Sequence, residues 1–278
     1  MPGPLQRLRR LVRRGPSDSP GRVVDALGRV GLVGYGLVHL MVAWLALQLA
    51  LRMPDAPADA AGAVGAISRL PGGFAALAVG AAGLTAFALW QLAAAAVGFR
   101  WVHGGERVRK RFGAVAKSIA TGGLAVITVD YLLGPARPGG DSAARSLAAA
   151  LLEQQAGRWL LGGAAVTIMV LAVMMTYTGV RRTFLGDLDL DAVPAAGRAV
   201  IAGLGVAGHL SRALVLAVVG VLTGVAALTG DPARAGGLDA ALRALGSAAP
   251  GSAVLTLVAA GIGAFGLFCL ADAATRRA

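Results

Sequence analysis

Six long apolar stretches decide what this chain can fold into. They occupy residues 30–51, 74–99, 115–133, 159–178, 200–228 and 254–271. The hydrocarbon core of a bilayer is about 30 Å thick, and a helix of about 20 apolar residues crosses it. Because lipid offers a backbone no hydrogen-bonding partner, each crossing segment has to be a helix. The sequence therefore predicts an all-α, polytopic membrane protein with six transmembrane helices.

The composition excludes an ordinary soluble domain. Hydrophobic residues make up 56% of the chain and charged residues 14%, whereas soluble domains carry about 25% charged residues. In a soluble protein, the net charge of +12 would suggest a nucleic-acid partner. Here the basic residues cluster around the ends of the apolar stretches. We therefore expect the lipid bilayer as the partner, and no nucleic acid.

The distribution of these basic residues predicts the orientation of the chain. Nineteen of the 26 Lys and Arg residues lie on the side of the two termini, and seven lie on the other side. Short loops rich in Lys and Arg remain in the cytoplasm. We therefore expect both termini to be cytoplasmic.

The six stretches form three tandem pairs. A glycine begins the first stretch of each pair, at Gly31, Gly113 and Gly208, with shifts of 82 and 95 residues. Another glycine begins the second stretch, at Gly72, Gly157 and Gly251, with shifts of 85 and 94 residues. Each pair holds an even number of spans, so the three modules face the same way. We expect parallel two-helix repeats around a pseudo-threefold axis along the membrane normal.

These repeats divide the chain into a basic N-terminal tail (1–27) and membrane repeats 1 (28–104), 2 (105–186) and 3 (187–278). The tail alternates leucines with arginines, which predicts either an amphipathic helix on an anionic leaflet or a disordered segment.

A short Ala-rich stretch separates the two spans of each module, at 60–70, 142–153 and 238–245. Leucines recur there at helical spacing. This pattern predicts half-buried helices at the outer interface, with an irregular loop as the alternative.

With these features, the chain resembles a bacterial family of integral membrane proteins, the domain of unknown function 1206, whose two-span module usually occurs three times. The likeness rests on the glycine-rich entry at 31–36, on the stretches that lead into Pro71-Gly72 and Pro250-Gly251, and on the basic exit of each module. Module 2 departs from the pattern with Ala156-Gly157. The resemblance implies a multi-pass protein of the bacterial inner (plasma) membrane and implies no particular chemistry.

Small residues recur at the spacing that favours close helix packing in lipid. They include Gly220-x-x-x-Gly224, Ala76-x-x-x-Gly80, Gly162-Gly163 and the glycines of 261–266. We expect these positions to be packing surfaces.

A candidate intramembrane polar site comprises Asp130, Gln48 and His39. An ionisable group inside a span is costly and is a functional candidate by default. Asp130 and Gln48 occupy equivalent positions of two modules, and the third equivalent is Val225. The alternatives are that Asp130 simply reaches the outer interface and that His39 is a hydrogen-bonded interhelical residue.

Tyr35, Lys117 and Arg212 form the other equivalent set, near the cytoplasmic start of the first span of each module. One hypothesis is that they contact anionic phospholipid headgroups as a cluster. The alternative is that Lys117 and Arg212 individually extend to lipid phosphates.

The sequence lacks the parts of known catalytic and cofactor sites. It contains no nucleophile motif or nucleotide-binding loop, and the single cysteine and three histidines have no metal-ligand spacing. We expect no enzymatic activity, metal or cofactor. Our first hypothesis is a scaffold, accessory or lipid-organising protein that binds a second copy or another membrane protein. The alternative is a channel or transporter for a small solute, ion or lipid.

Overall fold

The computed structural model describes residues 22–53, 57–97, 104–134, 140–247 and 250–275. Its helices are α1 (Arg22–Ala50), α2 (Ala60–Ser68), α3 (Gly73–Val97), α4 (Gly104–Leu133), α5 (Gly140–Leu152), α6 (Gly157–Arg181), α7 (Ala195–Thr229), α8 (Leu238–Ser247) and α9 (Gly251–Thr275). Short 3-10 turns follow α6 and α7, at Thr183–Asp187 and Pro232–Arg234. No strand occurs in these ranges, so the all-α class is confirmed.

Six of these helices, α1, α3, α4, α6, α7 and α9, are long and apolar enough to cross a membrane. They coincide with the six predicted stretches, so the chain is a multi-pass membrane protein with two spans per module. We call the side where α1 begins and α9 ends the basic face. The opposite side, which carries α2, α5 and α8, is the short-helix face. Residues 1–21 of the predicted tail lie outside the described residues.

The short stretches between the spans are helices, so the loop alternative is wrong. Each turns one side toward the bundle, with Val64 of α2, Ala148 of α5 and Leu242 of α8 buried. Asp59 begins α2 by accepting a hydrogen bond from the Gly62 N–H, which satisfies one of the free donors of the first turn.

The spans pack in the order α4, α3, α1, α9, α7, α6, each against the next. Three of these contacts join neighbouring modules, namely α3 with α4, α1 with α9, and α6 with α7. The other two join the spans of module 1 and the spans of module 3. Among the described residues, α4 and α6, the two spans of module 2, share no comparable interface. The row of helices is therefore open at module 2.

Glycines permit the closest crossings within modules 1 and 3. A Cβ atom on Gly31 would lie 2.5 Å from the carbonyl oxygen of Gly83, where α1 crosses α3. A Cβ atom on Gly208 would lie 2.6 Å from the Cα of Phe265, where α7 crosses α9. Because the neighbouring atoms belong to the backbone, they cannot move aside for a larger residue.

Module 2 lacks this crossing. Gly113 is the counterpart of Gly31 and Gly208, yet nothing lies within 4 Å of a Cβ atom added there. By the repeat shifts, Ile168 stands where module 1 has Gly83, and Thr167 stands where module 3 has Gly261. Ile168 packs on Gly220 of α7 instead. Helix α6 is therefore packed against module 3 and leaves its own module open.

The other predicted glycine faces have mixed outcomes. Gly220 and Gly224 pack on Ala165 of α6, and Gly80 packs on Gly34 of α1. Ala76 is exposed. Gly162 and Gly163 have no atom within 4 Å of an added Cβ, so no helix of this chain packs closely on them in the described residues.

The largest apolar core joins the first spans of all three modules. It contains the buried side chains of Val42 in α1, Leu124 in α4 and Val215 in α7, together with Val64 and Leu242 of the short helices. The middle of the bundle toward the short-helix face is therefore filled with apolar side chains.

Candidate functional site

A hydrogen-bonded arginine lies between three spans in the half of the bundle nearer the basic face. Arg212 of α7 donates from Nη2 to the hydroxyl oxygen of Tyr35 on α1, at 2.9 Å. The guanidinium carbon lies 4.0 Å from the ring centroid of Phe265 on α9 and 5.7 Å from that of Tyr35. We call these three residues the Arg212 site. The structure thus brings together two of the three equivalent residues predicted from the repeat.

The depth of the site follows from helix geometry. Arg212 lies 17 residues before the end of α7, and Tyr35 lies 15 residues before the end of α1. At 1.5 Å per residue, they are about 22–25 Å from the short-helix face. A hydrocarbon core about 30 Å thick then places both side chains just inside its basic-face boundary. Lys117, 16 residues before the end of α4, lies at the same depth.

Two histidines extend this cluster. His39 packs edge-on against Phe265 at 4.9 Å, and His209 does so at 5.5 Å between ring centroids. His39 Nδ1 lies 2.8 Å from the Tyr35 carbonyl oxygen, and His209 Nδ1 lies 2.7 Å from that of Gly205. A carbonyl oxygen only accepts, so Nδ1 carries the proton in both rings. His39 is hydrogen-bonded as expected, although the bond stays within its own helix.

The charges around the Arg212 site are positive. Lys117 and Arg212 both lie close enough to His209 to interact with it electrostatically. Among the described residues, Arg212 is half-buried, and its side chain makes one hydrogen bond and no ion pair. A guanidinium offers five N–H donors, and burying a charge without a counter-ion is costly. The arrangement therefore suits a bound anion.

The predicted polar site at Asp130, Gln48 and His39 is divided between two depths. Asp130 and Gln48 lie three and two residues before the ends of α4 and α1. Next to Asp130, Tyr131 accepts a hydrogen bond from Ser68 of α2 at 3.0 Å, which places this level at the short-helix face. His39 precedes Gln48 by nine residues, or about 14 Å of helix. It belongs with the Arg212 site.

Three aspartates at the short-helix face form a feature that sequence reasoning missed. Asp59 of module 1 accepts the Gly140 N–H of module 2 at 2.7 Å. Asp141 of module 2 accepts the N–H groups of Gly237 and Ala240 of module 3, at 2.8 and 3.2 Å. Asp239 of module 3 accepts the Ala58 N–H of module 1 at 2.9 Å. The bonds run in a cycle through all three modules.

We call these three residues the aspartate staples. A signal for them exists in the sequence, because one aspartate stands at or beside the start of each short helix. Their roles became visible only when the structure placed the next module's backbone beside each carboxylate.

The comparisons with known proteins agree with this architecture. The model of the family described as Domain of Unknown Function (DUF1206) matches residues 30–98, 112–182 and 207–276. An uncharacterized protein of Bacillus subtilis (strain 168), YxxB, is 25% identical over 249 residues, which cover 89% of each chain. No solved structure matches the chain. The chain therefore belongs to the family of the Domain of Unknown Function (DUF1206), whose unit it carries three times in tandem.

Proposed function

We propose that the protein is a non-enzymatic, lipid-organising protein of the bacterial plasma membrane that binds anionic phospholipid headgroups at the Arg212 site. Both termini lie in the cytoplasm, so the basic face meets the inner leaflet. The observation that carries this proposal is the guanidinium of Arg212, half-buried between three spans without a carboxylate partner among the described residues.

The chemistry of the site matches a phosphate group. Tyr35 and Phe265 hold the guanidinium in place, so its remaining N–H groups keep a defined direction. Guanidinium binds phosphate oxygens through two parallel hydrogen bonds. Lys117 adds a second positive charge at the same depth. Because the site lies just inside the inner boundary of the hydrocarbon, a phospholipid can place its phosphate there while its chains remain in lipid.

The filled core favours lipid binding over a water-filled path. The centre toward the short-helix face is apolar. Buried threonines of the spans, such as Thr128 and Thr223, donate to carbonyl oxygens of their own helices. Such side chains provide no continuous polar surface for a solute.

Removal of the Arg212 charge tests the proposal. The protein is reconstituted in nanodiscs that contain equal amounts of phosphatidylglycerol and phosphatidylcholine, and the lipids retained after extraction are counted by native mass spectrometry. A charged hydrogen bond contributes about 1.5–3 kcal/mol, so Arg212→Gln should weaken phosphatidylglycerol binding by about 10- to 100-fold.

The matched control is Arg198→Gln, which removes the same charge from an exposed position of the same helix. It should leave the count of retained phosphatidylglycerol unchanged. Equal losses in both variants, or none in Arg212→Gln, would contradict the proposal, because binding would then depend on overall charge or on other residues.

A channel or transporter is the second candidate function. It is favoured by Gln48 and Asp130, polar side chains at equivalent positions of two modules. Proton or solute flux through vesicles that contain the protein, lost in Asp130→Asn, would support this candidate over the first.

A further inference from the structure

The opening in module 2 is a departure of this protein from its own repeat. Modules 1 and 3 each close their two spans on one another through Gly31 and Gly208. In module 2, the equivalent Gly113 faces open space, and α4 and α6 form no comparable interface in the described part of the chain. The contact that closes the other modules is therefore missing here, and we call the space between α4 and α6 at Gly113 the cleft of module 2.

The exposed side of α6 carries the residues of a lipid-facing surface. Trp159, Val166, Val170, Val173 and Tyr177 follow one another at spacings of seven, four, three and four residues and are all exposed. Trp159 and Tyr177 are 18 residues apart, or about 27 Å along the helix, which matches the thickness of the hydrocarbon. Tryptophan and tyrosine prefer the two membrane interfaces. This face of α6 is therefore suited to acyl chains.

Basic residues outnumber acidic ones at the basic end of the opening, where the sequence near the ends of α4 and α6 also contains Glu106, Asp187, Asp189 and Asp191. Lys117 stands on α4, one turn after Gly113, and is exposed. On the other side, Gly179 of α6 packs on His209 of α7, which lies within electrostatic reach of Lys117. Arg181 and Arg182 at the end of α6 are also exposed.

The charge at this end determines which kind of molecule fits the opening. A second copy of the chain would add its own arginines to a positive rim, and like charges repel. An anionic phospholipid has the complementary charge, and its acyl chains match the apolar face of α6.

We propose that the opening between α4 and α6 is the lateral entrance through which an inner-leaflet anionic phospholipid reaches the Arg212 site. The acyl chains occupy the cleft of module 2, and the headgroup enters between Lys117 and the arginines at the end of α6. This inference rests on the proposed function for the destination of the headgroup. The evidence for the cleft itself is independent of that function and is the missing helix contact at Gly113.

A bulky residue at Gly113 tests the entrance. A Cβ atom added at Gly113 has no atom within 4 Å, so we expect Gly113→Phe to fold and its ring to occupy the cleft at the basic end. In the nanodisc measurement, retained phosphatidylglycerol should fall to the level of phosphatidylcholine. Gly105→Phe is the matched control, since Gly105 is an exposed glycine of the same helix with equally open surroundings, and it should retain lipid like the parent protein.

The outcomes separate the two proposals. Retention of phosphatidylglycerol in Gly113→Phe together with its loss in Arg212→Gln would overturn the entrance and leave the Arg212 site in place. Retention in both variants would overturn both. A parent protein that forms a dimer abolished by Gly113→Phe, with no retained lipid, would identify a second copy as the occupant and overturn the inference. If Gly113→Phe unfolds, the smaller Gly113→Leu is measured in the same way.

Discussion

The aspartate staples show how a single residue type can join three modules. Asp59 and Asp239 are buried, with 2% and 8% of their surface exposed. Asp59 accepts the N–H of Gly140 at the beginning of α5, where the first-turn donors lack partners within the helix, and Asp239 accepts the N–H of Ala58, which lies just before α2. A carboxylate is also favoured there by the helix dipole. Each staple therefore satisfies donors of another module and not only of its own.

Asp239→Ala tests this role. The substitution leaves the buried Ala58 N–H without its partner and removes the 2.7 Å ion pair with Arg243. Loss of a buried acceptor costs about 1–3 kcal/mol, so the free energy of unfolding should fall by that amount. Thermal unfolding of the purified protein in nanodiscs measures the change. Asp231→Ala is the control, because the contacts of Asp231 within the described ranges are to its own neighbours Ala233 and Arg234, in a turn outside the module junctions. Equal midpoints for the two variants would show that Asp239 does not join modules.

At the scale of the element, the distance at which two helices cross depends on which residue of the partner helix lies at the crossing point. Hydropathy alone predicted all six spans, because the length of an apolar run is a local property. Alignment of the repeats also assigned Tyr35 and Arg212 to equivalent positions, and in the structure their side chains are hydrogen-bonded to each other. The contribution of Phe265 could not be predicted, because it comes from the second span of module 3. Similarly, Gly80 and Gly163 look alike in the sequence, and only the position of the neighbouring helix makes one a contact and leaves the other exposed.

Two glycine substitutions of opposite effect test these crossings. In Gly83→Leu, the new Cβ would lie 2.6 Å from the Gly31 backbone nitrogen. Helices α1 and α3 must then separate, so the unfolding midpoint should fall sharply. In Gly163→Leu, the new Cβ has no atom within 4 Å, and leucine is favoured over glycine in a helix by about 0.8 kcal/mol. Its midpoint should equal or exceed that of the parent protein. Thermal unfolding of both variants in the same detergent is the measurement, and a sharp loss in Gly163→Leu would mean that α6 packs against another helix there.

At the scale of the whole molecule, the three modules are joined in a cycle at the short-helix face, whereas the spans of module 2 are not packed on each other. The staples close a cycle through the three modules at the short-helix face, although the spans below them are open at module 2. The pseudo-threefold relation predicted from the repeat therefore holds at one face and in the contacts between modules. It fails within module 2, where α4 and α6 lack the close crossing that Gly31 and Gly208 make in the other modules. The glycines that align the repeats could not reveal this difference, because Gly113 and Gly157 keep the repeat spacing although the contact between α4 and α6 is lost.

The orientation of these faces is the prediction on which the inner-leaflet assignment depends. Met53 and Asp191 are exposed at the short-helix face and the basic face, respectively. Because short basic connections remain in the cytoplasm, a cysteine at position 53 should react with a membrane-impermeant thiol reagent on intact cells. A cysteine at position 191 should react only after the cells are permeabilised. The native Cys269 is buried, so the parent protein should remain unlabelled under both conditions and serves as the background control. Labelling of position 191 but not position 53 in intact cells would place the Arg212 site in the outer leaflet and move its lipid partner there.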